Sequence, residues 1–369
     1  MDEKLKKIIY MVLGVFVIIF FLLFLVSSCS SKMDPETFET KIMEKAKSYY
    51  STHKDELPSL NGIVSLSLND LTVKGIIKDP EKMLKKNTNC SGTLYIENNN
   101  NYYSYSPILN CTTPTDTYKS SNLKDTLISK EVTSGNGLYS IGNEYYFRGD
   151  KVDNYLVFDK RKWRITKINE DGTIRLIEDG RRDPVVWDDR YNEEVGASIG
   201  KNNYVKDSIN SRIKDTLDDI YKNDSVLSED GKAYVKETTL CIGKRSLEET
   251  INDGSIECSQ TLDKQYLGLL QLNEYMLASL DTSCKNANEI TCSNYNYLAD
   301  FENSYWTLTG NSANTSQVYK INSTIMSTGA NNTGMARLVI NISEHTNVRG
   351  TGTEEEPFVI VGFKNEIKK

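Results

Sequence analysis

Apolar residues form one unbroken stretch near the start of the chain, and beyond it they occur in shorter segments that alternate with polar ones. Residues 8–26 are a run of 19 residues that are apolar except for Gly14. A helix of this length spans about 28 Å, close to the hydrocarbon thickness of a bilayer. The pattern predicts a membrane segment whose partner is the lipid bilayer, followed by a more polar, globular remainder.

The residues on either side of this run bear on its orientation and processing. Lys4, Lys6 and Lys7 precede it, which favours an N-terminus inside the cell and residues 32–369 outside the cytoplasm. The exit sequence, Val-Ser-Ser before Cys29, resembles a bacterial lipobox in which that cysteine is lipidated. Residues 1–31 are therefore an uncleaved single-pass anchor, a lipoprotein signal with Cys29 as the lipidation site, or a signal peptide cleaved after Ser28.

The next segment has the pattern of a small domain. Helical spacing of apolar residues predicts a helix from Pro35 to about Thr52, with Asp34 as its N-cap. Alternating residues predict a strand over 64–68, and Asn69 is expected to cap a short helix after it. Tyrosine-rich segments on both sides of residues 98–101 predict a hairpin.

A larger set of elements follows a polar stretch. The apolar pattern predicts strands near 145–147, 155–158, 163–165 and 174–176, a helix with a stripe from Val205 to Tyr221, a buried strand over 267–272, and a helix after it that Asn273 caps. The predicted class is α+β. The expected divisions are an anchor or signal at 1–31, a small α+β domain at 32–112, a linker at 113–135 and a larger domain at 136–369.

The seven cysteines divide into Cys29 and six that lie beyond the anchor. Those six fall as sequence neighbours, which makes the pairs Cys90 with Cys111, Cys241 with Cys258 and Cys284 with Cys292 the simplest disulfide pattern. Free thiols and a zinc site are the alternatives, but the chain has only two histidines and lacks the usual ligand spacing. Disulfides suit an oxidising compartment outside the cytoplasm.

Charge and composition narrow the classes of function. The net charge of −7 argues against a nucleic-acid partner, because binding to phosphates needs clustered Lys and Arg. With many acidic residues and two histidines, no catalytic set stands out, and we expect no metal and no cofactor. An enzyme is less favoured than a binding protein.

Two stretches resemble known bacterial surface proteins. The membrane segment, the helix with EKAKSYYSTHKDELP, the small sheet and its cysteine-closed loop are similar to minor pilin-like or pseudopilin-like modules, although no glycine-ended prepilin leader precedes the apolar run. The resemblance implies a pilin-like domain, and a stalk that holds the next domain away from the membrane is the alternative.

The second resemblance covers about 230 residues. FDKRKWRI, LCIGKRS, LGLLQLNEYMLAS, SYWTLTG, ARLVINIS and GTGTEEEPFVI are similar to a domain of unknown function in bacterial surface proteins that is related to the C-type-lectin-like fold. The resemblance implies a binding scaffold with long loops. It does not imply a calcium-dependent sugar site, because the motifs of sugar-binding lectins are absent. Nor does it imply formylglycine-generating activity, which needs a C-terminal cysteine pair.

Aromatic residues near loops are the candidates for ligand contact, because they give a large contact area at low entropic cost. Trp187 and Trp306 are the two tentative ligand-binding residues. Trp187 precedes two aspartates, a context compatible with partial exposure, whereas the neighbours of Trp306 favour core packing. The polar loop over 310–317 is a further candidate.

The sequence thus predicts a bacterial membrane-anchored binding or adhesion module that presents a lectin-like domain to an extracellular glycan or protein. Two alternatives stay open. One is a surface hydrolase, and the other is a structural or assembly component of a pilus-like or envelope complex.

Overall fold

The computed structural model describes residues 32–180, 182–223, 226–300 and 302–363. The α-helices in these ranges are α1 (Pro35–Tyr50), α2 (Leu68–Val73), α3 (Pro80–Met83), α4 (Leu123–Ile128), α5 (Arg212–Lys222), α6 (Glu229–Lys232) and α7 (Leu272–Ala278). Most of the remaining regular structure is sheet, so the α+β class is confirmed.

The strands of the described ranges are β1 (Ile63–Ser67), β2 (Asn89–Asn99), β3 (Tyr102–Thr112), β4 (Thr117–Lys119), β5 (Ser121–Asn122), β6 (Gly137–Ile141), β7 (Glu144–Arg148), β8 (Tyr155–Phe158), β9 (Arg161–Ile168), β10 (Ile174–Glu178), β11 (Pro184–Val186), β12 (Val205–Lys206), β13 (Ile209–Asn210), β14 (Thr238–Cys241), β15 (Lys244–Arg245), β16 (Thr261–Gln265), β17 (Tyr305–Asn311), β18 (Gln317–Ile321), β19 (Ile325–Gly329), β20 (Thr333–Met335), β21 (Val339–Ile342), β22 (Asn347–Arg349) and β23 (Phe358–Ile360).

The predicted membrane segment at residues 8–26 and the lipidation candidate Cys29 lie outside the described residues. Within the ranges that the structure does describe, no helix is both long enough and apolar enough to cross a membrane.

The small domain is a four-stranded sheet, ordered β1-β2-β3-β4, with α1 packed on one side. The helix begins at Pro35 as predicted, because an Asp34 carboxylate oxygen accepts the Thr37 N–H at 2.9 Å. The predicted hairpin is also present. Asn100 and Asn101 both have positive φ at its turn, the geometry that twists two strands onto each other.

The cap predicted at Asn69 is wrong. The helix starts two residues earlier, because Ser67 is its cap and forms a reciprocal capping box with Asp70, in which each side chain accepts the other residue's backbone N–H. Leu68 consequently lies in α2 and not at the end of the strand.

The stretch 113–135, predicted as a linker, is instead part of the two folded units. Strand β4 extends the small sheet, and β5 pairs with β22 in the larger one. Leu123 and Leu127 of α4 are 0% exposed in the core of the larger domain. The polar composition concealed this, because only one face of a six-residue helix needs to be apolar.

The larger domain has a nine-stranded sheet and a six-stranded sheet among the described residues. The first runs β21-β10-β9-β8-β23-β22-β5, with the β6–β7 hairpin joined to β9, and the second runs β11-β20-β17-β18-β19, with β15 beside β17. Apolar side chains from both sheets share one core, including Trp163 and Leu176 from the first and Trp306 and Leu308 from the second.

Two predicted elements of this domain differ from the structure. The helix predicted over 205–221 begins only at Arg212, because Ser211 caps it and Asp207 and Ser208 adopt positive φ in a β12–β13 hairpin before it. The stretch 267–272 is buried as expected but is not a strand, since it contacts β21 through a single bridge at Gly268.

The helix after that stretch also has a different cap from the one predicted. Asn273 lies inside α7, and the cap is Gln271, whose backbone N–H donates to Glu274 Oε2 at 3.1 Å. This shift of two residues places Asn273 and Glu274 in the first turn of the helix.

Buried polar contacts join the two domains. Glu39 of α1 is 0% exposed and accepts hydrogen bonds from Asn347 at 3.0 Å and Arg349 at 3.2 Å, both on β22. On the other side, the Asn99 amide donates to the Ala233 carbonyl at 2.6 Å. The small domain is therefore packed directly against the larger one.

Candidate functional site

The larger domain contains a polar cleft of ≈ 820 Å³. Its floor is formed by side chains from β7, β9, β10 and α7. Its other walls come from the paired strands β14 and β16, the segment between them, the β9–β10 turn and Asn341 of β21. We use "cleft floor" for the four charged residues Glu144, Lys167, Arg175 and Glu274.

Strand register brings the two cations of the cleft floor together. Lys167 on β9 is opposite Arg175 on β10, and it is also opposite Tyr146 on β7. Side chains that face each other across antiparallel strands lie on the same side of the sheet, where like charges repel. The floor therefore needs carboxylates to be stable.

Two glutamates supply those carboxylates. Lys167 Nζ lies 2.8 Å from Glu144 Oε1 and 3.7 Å from Glu274 Oε1, and Arg175 Nε lies 2.8 Å from Glu274 Oε1. Arg175 and Glu274 are almost fully buried. Their contact is an ion pair without the alignment of a hydrogen bond. The floor is thus charge-neutral and rigidly cross-linked.

Neighbouring groups fix the orientation of both glutamates. The Glu274 carboxylate also accepts the Gln271 N–H that caps α7, which holds it at the positive end of that short helix. The Tyr146 hydroxyl donates to Glu144 Oε2. Burial, followed by the charge of Glu144, raises the pKa of Tyr146 far above its ordinary value, so this hydroxyl stays a donor.

Two buried amides beside the floor lack partners for their oxygens. Asn273 and Asn341 line the cleft and are 2% and 3% exposed, and neither Oδ1 accepts a hydrogen bond from any described residue. The Asn341 amide nitrogen donates to Thr238 Oγ1 at 2.8 Å, so its oxygen is held in place. Buried acceptors without donors are uncommon in native proteins, and these two oxygens have free lone pairs for the donors of a further group.

A second polar cluster lies between the domains, around a cavity of ≈ 220 Å³. Glu97 of β2 is 3% exposed and contacts Lys236 Nζ at 3.0 Å, His345 Nδ1 at 3.0 Å and the Ser343 hydroxyl. Burial opposes the charge of Glu97, but the hydrogen bond from His345 and the charge of Lys236 outweigh it and lower its pKa to about 2.

This cluster contains a serine, a histidine and a carboxylate, the residue types of a hydrolytic triad, but their hydrogen bonds are not arranged as in a triad. Nucleophilic activation requires the serine hydroxyl to donate to the imidazole. Here Ser343 donates to Glu97, and the His345 ring stacks on Tyr95 with 4.5 Å between ring centres. The arrangement fixes the two domains together and does not activate Ser343.

The structure places both candidate tryptophans in the core. Trp187 and Trp306 are each 0% exposed, which corrects the expectation that Trp187 is partly exposed. The Trp187 indole N–H donates to the Thr307 carbonyl at 3.2 Å, next to Trp306 on β17. The Trp306 indole N–H donates to the Val185 carbonyl at 2.9 Å, on the strand β11 that precedes Trp187. Neither ring presents a face to solvent.

The other candidates for ligand contact are also occupied. Asp188 and Asp189, beside Trp187, pair with Arg190 and Arg212 at 2.8 and 2.9 Å. The 310–317 loop is held in place by Asn202, whose amide nitrogen lies within 2.6, 2.8 and 2.9 Å of three carbonyl oxygens of the loop and shares its two hydrogens among them. In the described part of the chain no group of three or more His, Cys, Asp or Glu is arranged to hold a metal ion.

The disulfide pattern is confirmed. The structure has the pairs Cys90–Cys111, Cys241–Cys258 and Cys284–Cys292. Cys241 and Cys258 line the cleft, so the second disulfide braces one of its walls.

Sequence reasoning missed the cleft floor because its residues come from four separate elements, β7, β9, β10 and α7. One pattern could have found part of it. Arg175 lies between the apolar residues Ile174 and Leu176 of a buried strand, and buried charges in strands occur where they are paired.

Comparison of the chain with known proteins bears on neither resemblance, so the pilin-like and C-type-lectin-like assignments stay predictions. No family model, no curated protein and no solved structure matches it.

Proposed function

We propose that this protein is a bacterial surface module, held at the membrane through residues 8–26, whose larger domain binds a polar ligand in the cleft outside the cytoplasm. The small domain would be a pilin-like or stalk unit, and the larger one a C-type-lectin-like scaffold. The observation that carries the proposal is the pair of buried, unpartnered acceptors, Asn273 and Asn341, beside a rigid charged floor.

Three features support this assignment. The cleft volume of ≈ 820 Å³ lies within the usual range for binding sites of small ligands or short chains. Its floor is neutralised internally, which suits binding better than proton transfer, because each carboxylate is already paired with a cation. Three disulfides fit an oxidising location.

The experiment is a binding screen of the full-length chain against glycan, peptidoglycan and peptide arrays. The test variant is Asn273→Ala with Asn341→Ala, and the matched control is Asn110→Ala, an exposed asparagine on β3 of the small domain. We expect the double variant to lose about 30-fold in affinity for the array ligand while the control keeps it, since each of the two lost hydrogen bonds is worth about 1 kcal/mol. Thermal unfolding verifies that both variants are folded.

Either of two results would overturn the proposal. One is the absence of binding to every array class, which would favour an assembly component. The other is a ligand whose affinity is the same for the double variant and the wild type, which would place its site elsewhere.

A further inference from the structure

The outer edge of the cleft is strongly acidic. We use "cleft rim" for the residues there that carry charge: Glu170, Asp171, Glu237, Asp253, Asp263 and Lys264. Four of the five carboxylates are exposed and Glu237 is half-buried. Since the cleft floor is neutral, the excess of five carboxylates over one lysine is the net charge that a ligand encounters.

Hydrogen bonds hold the rim carboxylates in position but do not neutralise their charge. Each accepts a hydrogen bond from an uncharged donor, as Glu237 does from the Tyr266 hydroxyl at 3.1 Å and Asp263 from the Thr239 hydroxyl at 2.6 Å. Among the ion pairs of the described residues, none involves a carboxylate of the rim. Their charge is therefore available to a ligand.

The two unpartnered amide oxygens beside the cleft floor favour the same kind of ligand as the acidic rim does. Asn273 Oδ1 and Asn341 Oδ1 are acceptors, so a complementary ligand must supply N–H or O–H donors. Ammonium and guanidinium groups carry several N–H donors and positive charge, and they satisfy the rim and these amides together.

The spacing of the acidic groups distinguishes a chain-like cation from a metal ion. No three of these carboxylates are close enough to coordinate one ion in the described chain. A cluster for Ca²⁺ would bring several oxygens to one point. Separated carboxylates along a cleft match separated positive charges along an extended chain.

We propose that the cleft binds a cationic peptide segment with several Lys or Arg residues. This rests on the proposed function, because it names the ligand class of the same cleft. The carboxylates of the rim would attract and orient the cationic side chains, and Asn273 and Asn341 would accept N–H groups of the segment.

The test measures binding of the full-length chain to a fluorescent peptide with four lysines that alternate with serine. The same peptide with acetylated lysines has its shape and length without its charge. The test variant is Glu237→Gln, Asp253→Asn, Asp263→Asn. The matched control is Glu354→Gln, Glu355→Gln, Glu356→Gln, which removes the same charge from an exposed run outside the cleft.

We expect the wild type to bind the lysine peptide more weakly as salt is added and not to bind the acetylated peptide. The affinity of the test variant should fall on the order of 10-fold, because three ion pairs at the rim contribute about 0.5 kcal/mol each. The control variant should bind within about 2-fold of the wild type. An equal loss in both variants would show attraction by net charge alone and would overturn the proposal, as would equal binding of the acetylated peptide.

Failure of this proposal is distinguishable from failure of the proposed function. If a neutral glycan binds and is lost in the Asn273 and Asn341 double variant but not in the rim variant, the cleft is a binding site and only the cationic class is wrong. If neither set of substitutions changes the binding of any probe, both proposals are wrong.

Discussion

Replacement of Glu97 by glutamine should weaken the junction between the domains in a way that depends on pH. The carboxylate is nearly fully buried and contacts Lys236, His345 and Ser343. Glutamine has the same shape and resembles the protonated acid, so Glu97→Gln removes the charge while it keeps most of the packing. Every partner would remain beside an uncharged group.

The pKa of Glu97 gives the magnitude. Its value falls from 4.5 to about 2 on folding, and each unit corresponds to 1.36 kcal/mol. The ionised form is therefore favoured by about 3 kcal/mol in the folded state relative to the unfolded one. Because the folded-state pKa is lowered, this stability is present above pH 4.5 and is lost as the pH falls toward 2. At pH 3 about 2 kcal/mol of it is gone.

The assay is urea unfolding of the wild type and Glu97→Gln, followed by far-ultraviolet circular dichroism at pH 7 and pH 3. We expect the difference in unfolding free energy to be about 3 kcal/mol at pH 7 and about 1 kcal/mol at pH 3. Glu44→Gln is the control, because Glu44 is exposed on α1 and its ion pair with Lys41 is worth little. A difference below 0.5 kcal/mol at pH 7, or one independent of pH, would refute the reasoning.

Three further predictions concern stability and anchoring. Replacing both Cys90 and Cys111 by serine should lower the unfolding free energy by about 3 kcal/mol, the loop entropy of a 21-residue separation, and urea unfolding under non-reducing conditions measures it. Trp187→Ala should lower the unfolding free energy by about 3–5 kcal/mol, because the ring is fully buried, whereas Leu60→Ala at an exposed site should lower it little. Thermal unfolding compares the two variants, and equal melting temperatures would contradict the placement of Trp187 in the core. Cys29→Ser should change the mature mass only by the difference between the two side chains and leave the membrane fraction unchanged for an uncleaved anchor, and mass spectrometry would detect the loss of a lipid that contradicts this.

The parts of the fold that were predicted from sequence are those set by neighbours along the chain. Asp34 caps α1 because its oxygen needs only to reach a backbone three residues away. The turn after residue 99 follows from asparagines that tolerate positive φ. The three disulfides join cysteines that are already close in sequence, so spacing alone identified them.

The cleft floor could not be predicted in this way, because it depends on the exact register between strands and on a contact from a remote helix. Lys167 on β9 is opposite Arg175 on β10. The register then shifts at a bulge, so that the next residue of β10, Leu176, pairs with Ile165. A shift of one residue in either strand would move its charge to the other face of the sheet and separate the two cations. Glu274 reaches them from a helix about 100 residues later, and no local pattern encodes that contact.

The cleft and the domain junction are parts of one structure, which bears on what the small domain does. The segments 236–238 and 341–345 each contribute residues to the cleft wall and to the contacts with Glu97. They are also bonded to each other, since the Lys236 N–H donates to the Asn341 carbonyl at 2.8 Å. A spacer would need no such connection, because its role is only to set a distance. The Glu97 contacts instead hold the strand that positions the Asn341 amide, so the small domain supports the wall of the proposed binding site.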